Sequence, residues 1–315
     1  MPDKLQIKFK KKTYHTLLDY IVSLDKTSNG LEIDNTGNQN LRYVGPTPNN
    51  YVSFNNEIWR IIGIFNVYNN DDQREEKLVK IIRNDSLGNY SWDTSTSSIN
   101  SGYGINEWSQ AKLMKELNTD YIDISKTSGS TKWYNGQNNK KTATYNYDNN
   151  INSNFIDKIA NVRWDLGGIN SSISGTALTI YSVNTIYTLE RGTIHISNPS
   201  DKVTRTDTWD GKIALMYPSD YGYASTNSLC RNNLSSINNS IYNCKNNNWI
   251  FNNNIQWTLT PFSNNARDAF RASSSGAVSN EYIYLDLDVR PTIFLKSDVQ
   301  ILSGTGTSDD PYIIN

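Results

Sequence analysis

Apolar residues recur along this chain at two periods, and the switches between them mark out its elements. Tyr14, Leu17, Leu18, Ile21, Val22 and Leu24 stand at helical spacing, which predicts one amphipathic helix stopped by Asn29-Gly30. From Tyr51 the period shortens. Residues 51–54, 57–65 and 78–83 read as strands, with Asn55-Asn56 as a tight turn and 69–76 as a polar hairpin loop. Helical spacing returns over 106–118, where Trp108, Ala111, Leu113 or Met114, and Leu117 share one face and Asn106 stands where a cap is expected. A further helix is predicted at 154–162 and a strand at 212–216. Near the C-terminus, runs at 282–287 and 292–295 flank an Arg290-Pro291 corner, and a Gly/Ser/Asp-rich hairpin precedes a last apolar run at 311–314. The stretches 119–153 and 165–210 are mostly Asn, Ser, Thr and Gly around isolated aromatics, and read as long loops. These elements predict an α+β chain of antiparallel sheets with two helices and long loops.

Composition sharpens this picture. The hydrophobic fraction is 37% and the charged fraction 19%, with a net charge of -1, so polar uncharged residues fill the difference. Low hydropathy with low charge is compatible with disorder, but eight Trp and 20 Tyr supply the large apolar surfaces that disordered segments lack. A near-neutral chain offers no electrostatic footprint for nucleic acid, and no apolar run is long enough to span a bilayer.

Candidate chemistry is sparse. Cys230 and Cys244 have no second cysteine pair and no neighbouring His, which makes a zinc site a poor reading. A disulfide in an oxidising compartment and a pair of buried thiols are the two remaining readings, and we expect the disulfide. Of the two histidines, His15 lies in the predicted helix, so a Ser-His-Asp or Cys-His site would have to use His195, which reads instead as a half-buried residue of a Thr/Ile/Ser strand. Glu57, Glu107, Glu190, Asp220 and Glu281 supply acids for glycoside hydrolysis, but no spacing singles out a pair. Asp286 with Asp288 and Asp309 with Asp310 are the candidate calcium ligands, and these acids read more simply as solvated. No catalytic residue, metal or cofactor is therefore expected. Arg290, beside a fixed corner, is expected to hold the fold by a fork to carboxylates or carbonyls. Trp59, Trp249 and Trp257 are expected in the core.

Four motifs in order carry a resemblance: W-x-L-x-P-x-S at 257–263, S-x-G-x-V at 274–278, V-R-P-x-I-x-L-K-S at 289–297 and G-x-G-T-x-x-x-P-Y at 304–312. The ending resembles that of a group of bacterial surface proteins with a C-type-lectin-like fold. That fold is shared with formylglycine-generating enzymes and retroelement-diversified variable proteins. The resemblance implies a C-type-lectin-like ligand-binding domain over 51–315, behind an N-terminal lead-in segment of 1–50 that contains a helix. It also implies that the last strand lies beside 58–64, that an N-terminal anchor precedes the chain, and that the protein is extracellular or at the cell surface. The expected function is that of an adhesin or ligand-binding module without catalytic activity, whose partner is a host or neighbouring-cell protein or glycan. A hydrolase or formylglycine-type oxidase on the same scaffold is the rival. A structural subunit of a pilus, phage tail or surface layer is a third reading.

Recognition is expected on the stretch 263–284, where Arg267, Phe270, Arg271, Tyr282 and Tyr284 serve as anchors and Asn264, Asn265 and Asn280 as adaptable polar contacts. Arg and aromatic side chains on a Ser/Gly-rich background are the usual makings of such a face.

Overall fold

The computed structural model describes residues 16–94, 103–123, 125, 132–135, 141–144, 150–169, 181–193, 203–234, 244–263 and 265–315. After helix α1 (Leu17–Ser23) come strands β1 (Leu31–Ile33), β2 (Leu41–Tyr43), β3 (Tyr51–Phe54), β4 (Glu57–Asn69), β5 (Arg74–Arg83) and β6 (Asn89–Tyr90). Helix α2 (Lys112–Asn118), strands β7 (Lys132–Asn135) and β8 (Lys141–Thr144), helix α3 (Ser153–Ile156), strand β9 (Val162–Asp165) and helix α4 (Val183–Glu190) form the middle. Then follow β10 (Thr208–Gly211), β11 (Ile213–Ala214), helices α5 (Pro218–Tyr223) and α6 (Ser228–Asn232), and β12 (Gln256–Pro261). The chain closes with β13 (Asp268–Ala272), β14 (Val278–Tyr282), β15 (Leu287–Asp288), β16 (Thr292–Leu295), β17 (Ile301–Ser303) and β18 (Tyr312–Ile314). The class is α+β, mostly sheet with short helices.

The largest sheet has β4 at its centre. β5 covers one edge of β4, while β3 and β2 share the other, β3 along Glu57–Arg60 and β2 at Gly63 and Ile64. Trp59, Ile61, Ile62, Ile64 and Phe65 are all buried, so this strand is covered on both faces rather than alternating in and out. Gly63 is required here. A Cβ at that position would lie 2.2 Å from the Leu41 carbonyl oxygen, where β2 closes on β4. Beyond β5 lie β16 and β11, and beyond β3 lie β18 and β17. The lead-in segment, from Thr16 on, is thus tied into the same sheet through β2.

A second sheet runs in the order β14-β13-β12-β15-β6. Indole N–H groups hold its neighbourhood together: Trp257 donates to the Tyr90 carbonyl at 2.9 Å, Trp92 to Thr258 at 3.1 Å and Trp249 to Tyr43 at 2.8 Å. Arg290 is buried and donates to the carbonyls of Arg83 and Ile250, both at 2.9 Å, and to Gln256 Oε1 at 3.2 Å. It therefore holds the fold through carbonyl and amide oxygens, not through the acids next to it in sequence. Burial pulls its guanidinium down to about 10.

Several expectations hold closely. Helix α1 and strand β3 lie where the periodicity put them, and Asn55 and Asn56 have φ of 56° and 60°, as a two-residue hairpin turn requires. Others are corrected. The segment 106–118 splits into a 3-10 turn at Trp108–Gln110 and α2, because Ala111 is extended and the Asp93 carboxylate accepts from Lys112 N at 2.9 Å to start the second helix. Asn106 caps neither; its amide donates to the carbonyls of Phe262, Asn265 and Asp268. The helix expected at 154–162 is only α3, since Ala160 N donates to the Phe294 carbonyl and the chain enters β9. The strand expected at 282–287 breaks after Tyr282, where Ile283 is buried and its N–H donates to the Arg267 carbonyl.

Two differences matter most for the site. The polar stretch 165–210 contains α4, capped by Ser182 and burying Val183, Ile186, Tyr187 and Glu190. Six helices are found among the described residues, where two were expected. The terminal strand β18 pairs in parallel with β3, Tyr312 opposite Val52, so it lies one strand away from 58–64 rather than beside it.

Cys230, in α6, is bonded to Cys244, and both are buried. Among the described residues no helix is long and apolar enough to cross a membrane. Reduction of this bridge is expected to lower stability by about 3 kcal/mol, as loop closure of this length implies. Denaturant unfolding with and without a reductant measures it. Deleting 309–315 removes Tyr312 and Ile314, both buried, and exposes the edge of β3; a loss of about 4 kcal/mol is expected from the burial forfeited, read as a lower melting temperature.

Candidate functional site

Within the stretch 263–284, Asp268–Ala272 and Val278–Tyr282 form the β13-β14 hairpin, with Asp268 opposite Tyr282 and Phe270 opposite Asn280. Its two faces differ. Phe270 points inward, 2% exposed, and packs edge-on against Phe262, so it is a core residue and not an anchor. Arg271 is mostly buried and lies 3.4 Å from Glu281, which also removes it from a recognition face. Asn280 donates to the Asp268 carboxylate at 2.9 Å, and Asn265 accepts from Arg267 N within its own turn, so both amides are engaged internally. Asn264 lies outside the described residues, as do His15 and His195.

What remains on the surface is compact. Tyr282, 40% exposed, stacks on Tyr284 with ring centres 5.3 Å apart and planes 9° from parallel. Tyr103 tilts against the Tyr284 ring at 5.2 Å, and the Arg267 guanidinium lies 5.6 Å from both the Tyr103 and the Tyr282 rings. Leu285 adds an exposed apolar edge. Rings held by one another and by a cation form a clustered platform whose side chains have little rotamer freedom left to lose on binding. Tyr103 carries no signal in sequence, because only the fold brings it to Tyr284.

The acids considered for calcium are otherwise occupied. Asp288 accepts from Asn254 at 2.8 Å and is buried, and Asp310 accepts from Thr305 within the terminal turn. Among the described residues no group of three or more His, Cys, Asp or Glu side chains is placed to hold a metal ion.

A second feature was not anticipated. Between α4, β4, β9 and the start of α5 lies a partly enclosed cavity of about 110 Å³ whose walls include Tyr68, Trp164, Tyr187 and Tyr217. Beneath it runs a chain of buried charges. Asp220 accepts from Lys80 Nζ at 2.6 Å, from Arg42 Nη1 at 3.0 Å and from Tyr217 N at 3.0 Å, and Arg42 donates its Nε to Asp34 at 2.6 Å. The Lys80 ammonium is also ringed by Phe65, Trp164, Tyr217 and Phe294, with centroids 4.4 to 5.5 Å away. Burial pulls Lys80 down to about 8, with Asp220 resisting. Burial pushes the Asp220 carboxyl up, but Lys80 and Arg42 outweigh it and bring it down to about 2. Glu190, bonded to Ser219 N and Oγ, is pushed up to about 7 by burial. Tyr187 and Arg191, four residues apart at the end of α4, were legible as a helical pair once α4 itself was seen.

Comparison with known protein families, with curated proteins and with solved structures finds no match for this chain.

The two buried carboxyls titrate in opposite senses. Asp220 has a folded value below its ordinary 3.8, so its contribution to stability is present above about pH 4 and lost as pH falls towards 2. Glu190 has a folded value raised from 4.5 to about 7, so its contribution is present below about pH 4.5 and lost as pH rises through 7. Melting temperatures across pH 4.5 to 7 are therefore expected to fall more steeply in the wild type than in Glu190→Gln, whose amide oxygen still accepts from Ser219. Asp220→Asn is expected to cost about 3–5 kcal/mol at neutral pH, because it strands two buried cations; chemical denaturation measures the loss.

Proposed function

We propose that this chain is an extracellular or cell-surface ligand-binding module of C-type-lectin-like fold, acting as an adhesin without catalysis of its own. The observation that carries the reading is the Tyr103/Arg267/Tyr282/Tyr284 platform, a cluster of rings and one guanidinium at the surface, with Tyr282 exposed and the other three half-buried. Stacked tyrosines beside an arginine suit a glycan ring or the side chains of a partner protein, and they supply contact area at low entropic cost.

Three further observations support the reading. The Cys230–Cys244 bridge fits an oxidising compartment. Its burial speaks against a formylglycine-type oxidase, which needs two reactive thiols in an open cleft. Strand β18 returns to β3, so the end of the chain closes onto the sheet that begins near residue 51, one strand away from the neighbour that the resemblance implies.

The recognition face is narrower than the hairpin sequence suggested: Arg267, Tyr282 and Tyr284 remain on it, Tyr103 joins it, and Phe270 and Arg271 belong to the frame. Replacing Tyr282 and Tyr284 together by Ala is expected to weaken capture on glycan or host-protein arrays by more than about 2 kcal/mol, the range of binding hot spots, with circular dichroism unchanged. Arg271→Ala is expected to lower stability instead. Wild-type capture by the tyrosine double variant would remove the platform from the function and favour the structural-subunit reading.

A further inference from the structure

The cavity beside α4 holds an arginine whose hydrogen-bonding edge is unused. The Arg191 guanidinium is sandwiched between the rings of Tyr187, 3.6 Å away, and Tyr217, 4.7 Å away. Its Nη1 donates to the Tyr187 carbonyl and to Glu190, both at 3.3 Å. The rings are pinned in turn: Tyr187 Oη accepts from Asn38 and Asn40, and Tyr217 donates to the Asp165 carbonyl. An arginine held on both faces cannot swing, so its remaining donors point where the fold aims them.

Those donors are Nε and Nη2, the edge that grips a carboxylate by two parallel bonds. Among the described residues the only acid facing it is Asp165, at 3.7 Å from Nε, beyond hydrogen-bond reach. A second guanidinium of the lining, Arg163, stands over the Tyr68 ring at 4.5 Å and donates its Nε to Asp210 at 3.3 Å. Glu75 of the lining accepts from Asn66 Nδ2 at 3.2 Å and keeps acceptor capacity for a hydroxyl donor. One water needs roughly 10–15 Å³ of such space, so about 110 Å³ takes on the order of seven to eleven atoms of that size, most of a hexuronate, with the remaining atoms left at the open side of the cavity.

We propose that this cavity binds a small hydroxylated carboxylate, of the class of a hexuronic acid, with its carboxylate on the Nε/Nη2 edge of Arg191 and its ring against Tyr68. The site is independent of the exposed tyrosine platform and stands or falls without it. It adds a selectivity for acidic ligands that the platform does not provide.

Calorimetric titration of the whole chain with glucuronate, its methyl ester, glucose and N-acetylglutamate tests the proposal. Saturable binding of glucuronate is expected, with the ester and glucose weaker by about tenfold or more, since both lack the charge that the fork recognises. Arg191→Lys keeps the charge but loses the fork, and is expected to weaken glucuronate by about tenfold. Asp165→Asn removes the competing acid and is expected to tighten binding several-fold, a gain that a merely structural role would not produce. Should Arg191→Lys fail to fold, Tyr68→Ala on the outer wall replaces it, with weaker binding expected at an unchanged melting temperature. Failure of glucuronate to saturate at millimolar concentration, equal binding of the ester, or unchanged affinity in both the Asp165→Asn and the Arg191→Lys or Tyr68→Ala variants overturns the proposal. Preference for N-acetylglutamate over glucuronate overturns the sugar class.

Discussion

Asp220 is the residue on which the rest of the frame depends. It sits in the first turn of α5 and is fully enclosed, yet it carries a charge held by Lys80 from β5, Arg42 from β2 and a backbone N–H of its own helix. A buried carboxylate without such partners costs several kcal/mol, and so does each buried cation without its acid. The helix therefore has one position against the sheet. Any shift of α5 by a turn leaves two or three charges unpaired in a place that water does not reach. Because Arg42 also reaches Asp34, the same constraint fixes the loop between β1 and β2.

Both proposed binding features lie on elements anchored by this packing. Helix α5 is followed by α6 and the disulfide, and Tyr221 of α5 reaches across to donate to the Gly276 carbonyl at the β13-β14 turn. That bond links the buried charge network to the hairpin that bears Tyr282. At the other end of α5, Tyr217 precedes the helix and forms one side of the arginine sandwich. The tyrosine platform and the cavity thus differ in character. The first is an open surface of rings, suited to broad contact; the second is an enclosed fork, suited to one charged group. A protein presenting both can dock by area and select by charge.

Burial also explains why sequence and structure diverge where they do. The hairpin 263–284 is dense in Arg and aromatic residues, and density alone points to recognition. In a strand, successive residues face opposite sides, so Phe270 goes to the core while its neighbour Arg271 is drawn to Glu281. Half of an attractive motif is thereby spent on the frame. The loss is made good from elsewhere: Tyr103 arrives at the platform from a distant part of the chain.

The sequence by itself determined the α+β class, the helix of the lead-in segment, the long strands with the Asn55-Asn56 turn between them, and the cysteines available for pairing. These are local matters of period, turn chemistry and residue type, and they are legible because φ preferences and side-chain alternation act within a few residues. Helix α4 was locally encoded too, in Ser182 and the spacing of Val183, Ile186 and Tyr187, but the polar composition around it hid the signal. Only the tertiary structure decided that β18 pairs with β3, that Asp220 joins Lys80 and Arg42, and that Arg191 lies between two tyrosine rings. Those arrangements depend on which distant segments exclude water together. The strength of a charge pair or a stacked ring is set by the burial around it, and no window of sequence contains that burial.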